Sequence, residues 1–232
     1  MKDLSNEERN LLYCYTVNPM IPKLITARIP IINEWKLKWY NPRYQTMKYH
    51  EYDAMIHINK NEELIKDLTH IGILHYDVYF NKESVNDILK GLEENSQKIY
   101  YIMYRQNDQL FFTYEQLDNI CKYMSLKLNM NIDVNKIWDK GWISEALSVV
   151  PIKVFNKFCN FLYDNQFELE GFLSNNSWGL MNKIQHRMCG FIERLWGIYL
   201  VSTGLPFEQM NIIHDWDRYE HKHVYNRNNN LI

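Results

Sequence analysis

Cysteine is scarce and scattered in this chain of 232 residues. Cys14, Cys121, Cys159 and Cys189 form no C-x-x-C pair, and none stands at zinc-finger spacing from a histidine. They read as free, mostly buried thiols of a reducing compartment. Positive charge is not in excess either: 26 Lys and Arg face 28 Asp and Glu, for a net charge of −2 and a pI near 6.4. A protein that neutralised many phosphates would need a basic field, so nucleic acid is a poor partner for this composition. Long apolar runs are missing, since no window approaches the roughly 18 residues that a bilayer span requires. The polar, acidic start Met1 to Glu8 is no signal peptide, and the expected location is cytoplasmic. Neither G-x-x-x-x-G-K nor G-x-G-x-x-G occurs, which weighs against a nucleotidyltransferase with a glycine-rich phosphate loop.

What the chain has is apolar and aromatic bulk. A hydrophobic share of 46% suffices for one packed core, so a single domain over 1–232 is expected, with a polar tail from about Asp215. Most of the 17 Tyr and 7 Trp should fill that core and its rim. The remainder suit a groove that stacks on sugar rings or a base.

Periodicity predicts strands early and helices late. Leu11–Val17 reads as a first strand, closed by Asn18-Pro19, and Arg28–Ile32 as a second near an edge. A helix is expected from Tyr44 to Asn59, and another after Lys82 through Val85, Ile88, Leu89 and Leu92. Ile99–Tyr104 reads as a strand. Thr113 is placed to cap a following helix, with Gln116 three residues on, and Leu117, Ile120, Cys121, Met124 and Leu128 line its inner face. Asp133–Ala146, Ile152–Asp164 and Trp178–Thr203 all carry helical periodicity, the last stopping at Ser202-Thr203-Gly204. Alternation in the first half predicts an α/β fold with a central mixed sheet flanked by helices and a helix-rich C-terminal half.

The most informative stretch is Thr69 to Phe80. The apolar run Ile71–Leu74 reads as a buried strand, central in the sheet, that ends in His75-Tyr76-Asp77. Ligands of open α/β sheets sit beyond the carboxyl ends of such strands. Asp77 would project there as an oxygen ligand for a hard divalent cation that carries a diphosphate. A turn-forming aspartate is the plain alternative.

Two blocks carry a family resemblance. Tyr49-His50-Glu51-Tyr52, a helix reaching Asn59, and Gly72-Ile73-Leu74-His75-Tyr76-Asp77 resemble the strand-end signature of small GT-A glycosyltransferases. These include enzymes of large algal DNA viruses and of bacterial polysaccharide loci. Gln185-His186-Arg187-Met188-Cys189-Gly190-Phe191-Ile192-Glu193-Arg194-Leu195 resembles the Gln-x-Arg-x-x-Gly-Phe-x-x-Glu-Arg-Leu helix of the same group. The resemblance covers Leu11 to Leu200. It departs from a plain Asp-x-Asp, because His75 takes the place of the first acid, and the number of protein ligands to a metal stays open.

The resemblance implies a GT-A-like domain that transfers a hexose or deoxyhexose from a UDP-sugar to a glycan or glycoprotein acceptor, with Mn²⁺ or Mg²⁺ as cofactor. Asp77 is the expected metal carboxylate, and His214 the C-terminal ligand that completes the shell in many GT-A enzymes. Tyr15, Thr16, Val17 and Asn18 at the first strand's end suit a uracil edge and ribose. Arg43 could reach a phosphate bidentately. Glu51 and Asp53 could hold ribose or orient Arg43, and His75 and Tyr76 sit where the phosphates would lie. Glu193 interrupts an apolar helix face together with Arg194, and is the candidate base toward the acceptor hydroxyl. Against these stand ordinary roles: a solvated Arg43, N-terminal helix acids at Glu51 and Asp53, an ion pair of Glu193 with Arg187. A non-catalytic carbohydrate-binding module on the same fold is the rival reading.

Overall fold

The computed structural model describes residues 14–16, 31–33, 51–61, 65, 68–73, 78–79, 82–107, 110–175, 184–211 and 213–214. In chain order these form β1 (Cys14–Thr16), β2 (Ile31–Asn33), α1 (Glu51–Lys60), β3 (His70–Ile73), β4 (Val78–Tyr79), α2 (Lys82–Glu94) and β5 (Ile99–Arg105). There follow α3 (Tyr114–Leu128), α4 (Val134–Lys140), β6 (Trp142–Pro151), α5 (Ile152–Asp164), α6 (Gln166–Asn175), α7 (Ile184–Ser202), β7 (Phe207–Gln209) and β8 (Ile213–His214). The main sheet runs in the order β3-β6-β5-β7; β6 is antiparallel to β3 and β5, and β7 is parallel to β5. β1 and β2 pair in parallel, and β1 lies against β3. This is the mixed α/β architecture expected, with helices concentrated after Thr113. Among the described residues no helix is long and apolar enough to cross a membrane.

Local chemistry accounts for α3. The Thr113 hydroxyl accepts the Gln116 N–H at 3.2 Å, and the Gln116 side-chain carbonyl accepts the Thr113 N–H at 2.9 Å. Such a reciprocal cap stabilises a helix by about 1 kcal/mol. All five predicted inner residues, Leu117, Ile120, Cys121, Met124 and Leu128, are buried. Asn129 in the left-handed region closes the helix. α5 occupies the predicted Ile152–Asp164.

Two expectations need correction. The helix expected over Asp133–Ala146 stops at Lys140, and Trp142–Pro151 is the longest strand of the described sheet. Gly141 makes the switch: at φ 102° its N–H still bonds the Ile137 carbonyl at 2.9 Å, and a Cβ there would collide with the Arg105 backbone. Its described side chains, Trp142–Ser144 and Leu147–Pro151, are all buried, so they lack the polar alternation by which a strand is recognised. Where it pairs with β5 the register shifts, the single residue Ile102 facing Glu145, Ala146 and Leu147. The second correction concerns the strand over Ile71–Leu74. Its described part, β3, is buried as expected, yet among the described residues β3 ends the hydrogen-bonded four-stranded ladder, whose inner places belong to β6 and β5, while β1 lies against it without pairing there.

The core is built where α7 crosses β6. Gly197 brings the helix so close that a Cβ would run into the Ile143 carbonyl oxygen and the Trp142 ring. The Trp196 indole N–H donates to the Ser148 hydroxyl at 3.2 Å, and the Tyr199 hydroxyl to the Val154 carbonyl at 3.0 Å, which ties α7 to α5. Phe158 fills the space between, with ring centroids 4.8 Å from Trp196 and 5.3 Å from Tyr199. α1 docks on α5, where the Asn59 amide donates to the Asn156 side chain at 3.0 Å. Cys121 and Cys159 are free and buried; burial pushes the Cys121 thiol up to about 12 and Cys159 well above its ordinary range. Both are inert packing residues. The side chains of Cys14 and Cys189 lie outside the described residues.

Candidate functional site

β3 and β5 run in the same direction, each antiparallel to β6, so their carboxyl ends share one edge of the sheet. From Ile73 the chain continues through His75, Tyr76 and Asp77, outside the described residues, to β4. There Val78 pairs with His214 and Tyr79 with Ile213 in an antiparallel ribbon. Directly opposed residues of such a ribbon have Cα atoms about 4.5–5.5 Å apart. His214 thus stands across from the covalent neighbour of Asp77, although the two come from opposite halves of the sequence. The His214 side chain is outside the described set, as are Val17, Asn18 and Arg43 altogether.

Tyr15 and Thr16 stand on β1, paired with Ile32 and Asn33. α1 packs against this strand, and Glu51 and Asp53 occupy its first turn, where the positive end of a helix dipole favours anions. The structure therefore packs the helix that carries Glu51 and Asp53 against the strand that carries Tyr15 and Thr16. Their side chains lie outside the described residues.

Glu193 and Arg194 lie on α7, where Met188, Phe191, Ile192, Leu195, Ile198 and Tyr199 of the apolar face are all buried. The two charges differ in burial. The Glu193 side chain is 24% exposed, whereas Arg194 is enclosed. The Arg194 Nε–H donates to the Leu110 carbonyl at 3.0 Å, and Nη1 donates to Gly190 at 2.6 Å. Its guanidinium also lies over the rings of Phe111, 5.0 Å away, and Trp142, 5.3 Å away. The Glu193 carboxylate stands 3.7 Å from Arg194 Nη1, a loose ion pair and not a hydrogen bond. Residues 110–113 follow β5 and approach this half of α7; Phe112 meets Phe191 edge to face at 6.1 Å. Arg194, next to Glu193 on the helix, thereby ties α7 to the loop that follows β5.

Sequence reasoning did not single out Phe111. It is 42% exposed between buried Leu110 and Phe112, and its φ of 58° lies in the left-handed region. The available signal was three apolar residues in a row at a loop, of which an inward-facing turn can bury only some.

No family model matches the sequence, and no curated protein matches it. Among solved structures the chain is similar to the apo structure of WbbM, a bifunctional glycosyltransferase, with a TM-score of 0.60 at 13% identity. The match covers 88% of this chain and 45% of that one, so the chain spans less than half of its length. At this identity the likeness concerns the fold, and the mixed α/β fold described above is shared with a glycosyltransferase.

Proposed function

We propose that the chain is a metal-dependent glycosyltransferase that moves a hexose or deoxyhexose from a UDP-sugar to a glycan or glycoprotein acceptor. The observation that supports it best is the β4–β8 ribbon, which sets His214 opposite Val78 next to Asp77 on a fold shared with a glycosyltransferase. A carboxylate and an imidazole form a donor set that Mn²⁺ accepts readily, while Mg²⁺ would lean on Asp77 and the phosphates. Bound there, the cation would neutralise the diphosphate as it leaves. In this reading Tyr15, Thr16, Val17 and Asn18 grip the base and ribose, with Glu51 and Asp53 beside them. Arg43, His75 and Tyr76 hold the phosphates. Glu193 accepts the proton of the acceptor hydroxyl.

A thermal-shift screen of UDP, GDP and CMP, each with Mn²⁺ and with chelator, tests the proposal, because a ligand that binds the native state raises its melting temperature by mass action. UDP is expected to stabilise the protein with Mn²⁺ and not in chelator. Asp77→Asn and His214→Ala should each abolish that coupling while leaving the melting temperature of the ligand-free protein nearly unchanged. Equal stabilisation by UDP in chelator would remove the metal from the proposal. The absence of any UDP-sugar turnover beside normal UDP binding would remove the enzyme.

A further inference from the structure

We propose that the ring of Phe111 is the stacking surface of an acceptor-sugar subsite that takes the apolar face of a pyranose. The word acceptor rests on the glycosyltransferase reading; the sugar-binding surface rests on the following geometry. Leu110 and Phe112 turn into the core, while Phe111 between them is 42% exposed and has a φ of 58°. A bulky aromatic residue rarely adopts this backbone, because its Cβ crowds the neighbouring carbonyl. Asn129, the other non-glycine residue with positive φ among the described residues, ends a helix, where asparagine is ordinary. No such local reason exists at Phe111, since glycine or asparagine would make the same turn with less strain.

The surroundings hold the ring in place. Arg194, itself buried, bonds the Leu110 carbonyl and lies over the Phe111 ring, with Trp142 also within 5.3 Å of the guanidinium. A buried cation, a strained backbone and two buried flanking residues thus all serve to fix one exposed aromatic ring. Strain of this kind persists where the surroundings over-determine it, and it concentrates at ligand clamps. An aromatic ring presents an apolar face that suits the C–H face of a sugar, and the half-buried Glu193 carboxylate beside Arg194 can accept a hydroxyl proton.

Position along the sheet edge assigns the sugar to the acceptor side. β1 lies against β3, and β5 is two places from β3 across β6. Neighbouring strands are about 4.8 Å apart, so β5 lies roughly 10 Å from β3 across the sheet, and it runs on past the end of β3, since Ile73 and Tyr101 both stand opposite Ser148 while Arg105 stands opposite Trp142. A nucleotide at β1 with its diphosphate at the end of β3 leaves the end of β5 for the group that receives the sugar.

The test compares wild type with Phe111→Gly, Phe111→Asn and Phe111→Tyr. The probes are methyl pyranosides of glucose, galactose, mannose and rhamnose, followed by saturation-transfer NMR without metal or nucleotide. Wild type and Phe111→Tyr should bind at least one pyranoside, and the glycine and asparagine variants should bind it about fivefold more weakly or worse. Both weakened variants should melt no lower than wild type, because they relieve the backbone, and should keep the metal-dependent UDP shift. Wild-type pyranoside binding by Phe111→Gly overturns the proposal, as does a wild type that binds none of the four. If the UDP shift disappears together with sugar binding, the ring serves the nucleotide and the proposal fails. If both small variants fail to fold, the ring is structural and it fails as well. Pyranoside binding that depends on Phe111 in a protein with no UDP response would sink the glycosyltransferase reading and leave the sugar site standing.

Discussion

At Arg194 a buried guanidinium bonds two backbone carbonyls and lies over two aromatic rings, with the Glu193 carboxylate 3.7 Å away. Adjacent residues on a helix do not face one another, so the Glu193–Arg194 contact is a by-product of sequence proximity. The Glu193 side chain is 24% exposed and its contact with Arg194 is loose, so that pair contributes under about 1 kcal/mol. The other role left open, a pair of Glu193 with Arg187, involves a side chain outside the described residues, so substitution has to separate the two. Glu193→Gln conserves size and removes basicity, so it should lower kcat about a hundredfold while the donor KM and the melting temperature stay close to wild type. A variant with native kcat and a lowered melting point would instead make Glu193 a structural residue. The pairing of charges in this block was legible, because two charged residues stand inside an apolar helical pattern. Which of them is buried was not, since that depends on the loop at Leu110 and Phe111 that the tertiary fold brings over α7.

Among the elements, α3 and β6 mark the extremes of legibility. α3 has one face in the core and one in water, so its period and its Thr113 cap are written locally. β6 lies between β3 and β5 and against α7, and its described side chains are all buried, so they carry no alternation to read. The short β7 and β8 offer too few residues for a pattern, and they exist through pairing with β5 and β4. The α7–β6 crossing itself depends on Gly197. Gly197→Ala should destabilise the protein by about 1–3 kcal/mol, the usual cost of forcing extra volume into a packed interface, because its Cβ meets the backbone oxygen of Ile143. Urea unfolding measures it; an unchanged midpoint would mean that helix and strand separate more easily than their packing implies.

For the whole molecule, His70 links stability to pH. Burial lowers its pKa below the ordinary 6.5, against a weaker opposing effect of the bond from its ring to the Ser96 carbonyl. The neutral ring donates from Nε2 to Ser96 at 2.9 Å and receives the Thr69 hydroxyl at Nδ1. The unfolded chain binds the proton more tightly, so this residue costs no stability above 6.5 and makes folding progressively less favourable as pH falls below it, until the folded pKa is reached. Urea midpoints at pH 5 and pH 7.5 should therefore differ more in wild type than in His70→Gln. An identical pH dependence in the two proteins would mean that His70 stays accessible to protons in the native state.

Sequence by itself determined the α/β class, the inner faces of α3 and α7, the extent of α5, and the buried state of β3, since each follows from local periodicity and the need to remove apolar surface from water. Tertiary structure alone decided that β6 sits inside the sheet, that β3 ends its ladder, and that His214 lies across from the neighbour of Asp77. It also decided that Phe111 stands outward over a buried arginine. Each of these depends on contacts between residues distant in the chain. Local pattern cannot encode which remote segment will fill a given side of a strand or cover a given charge.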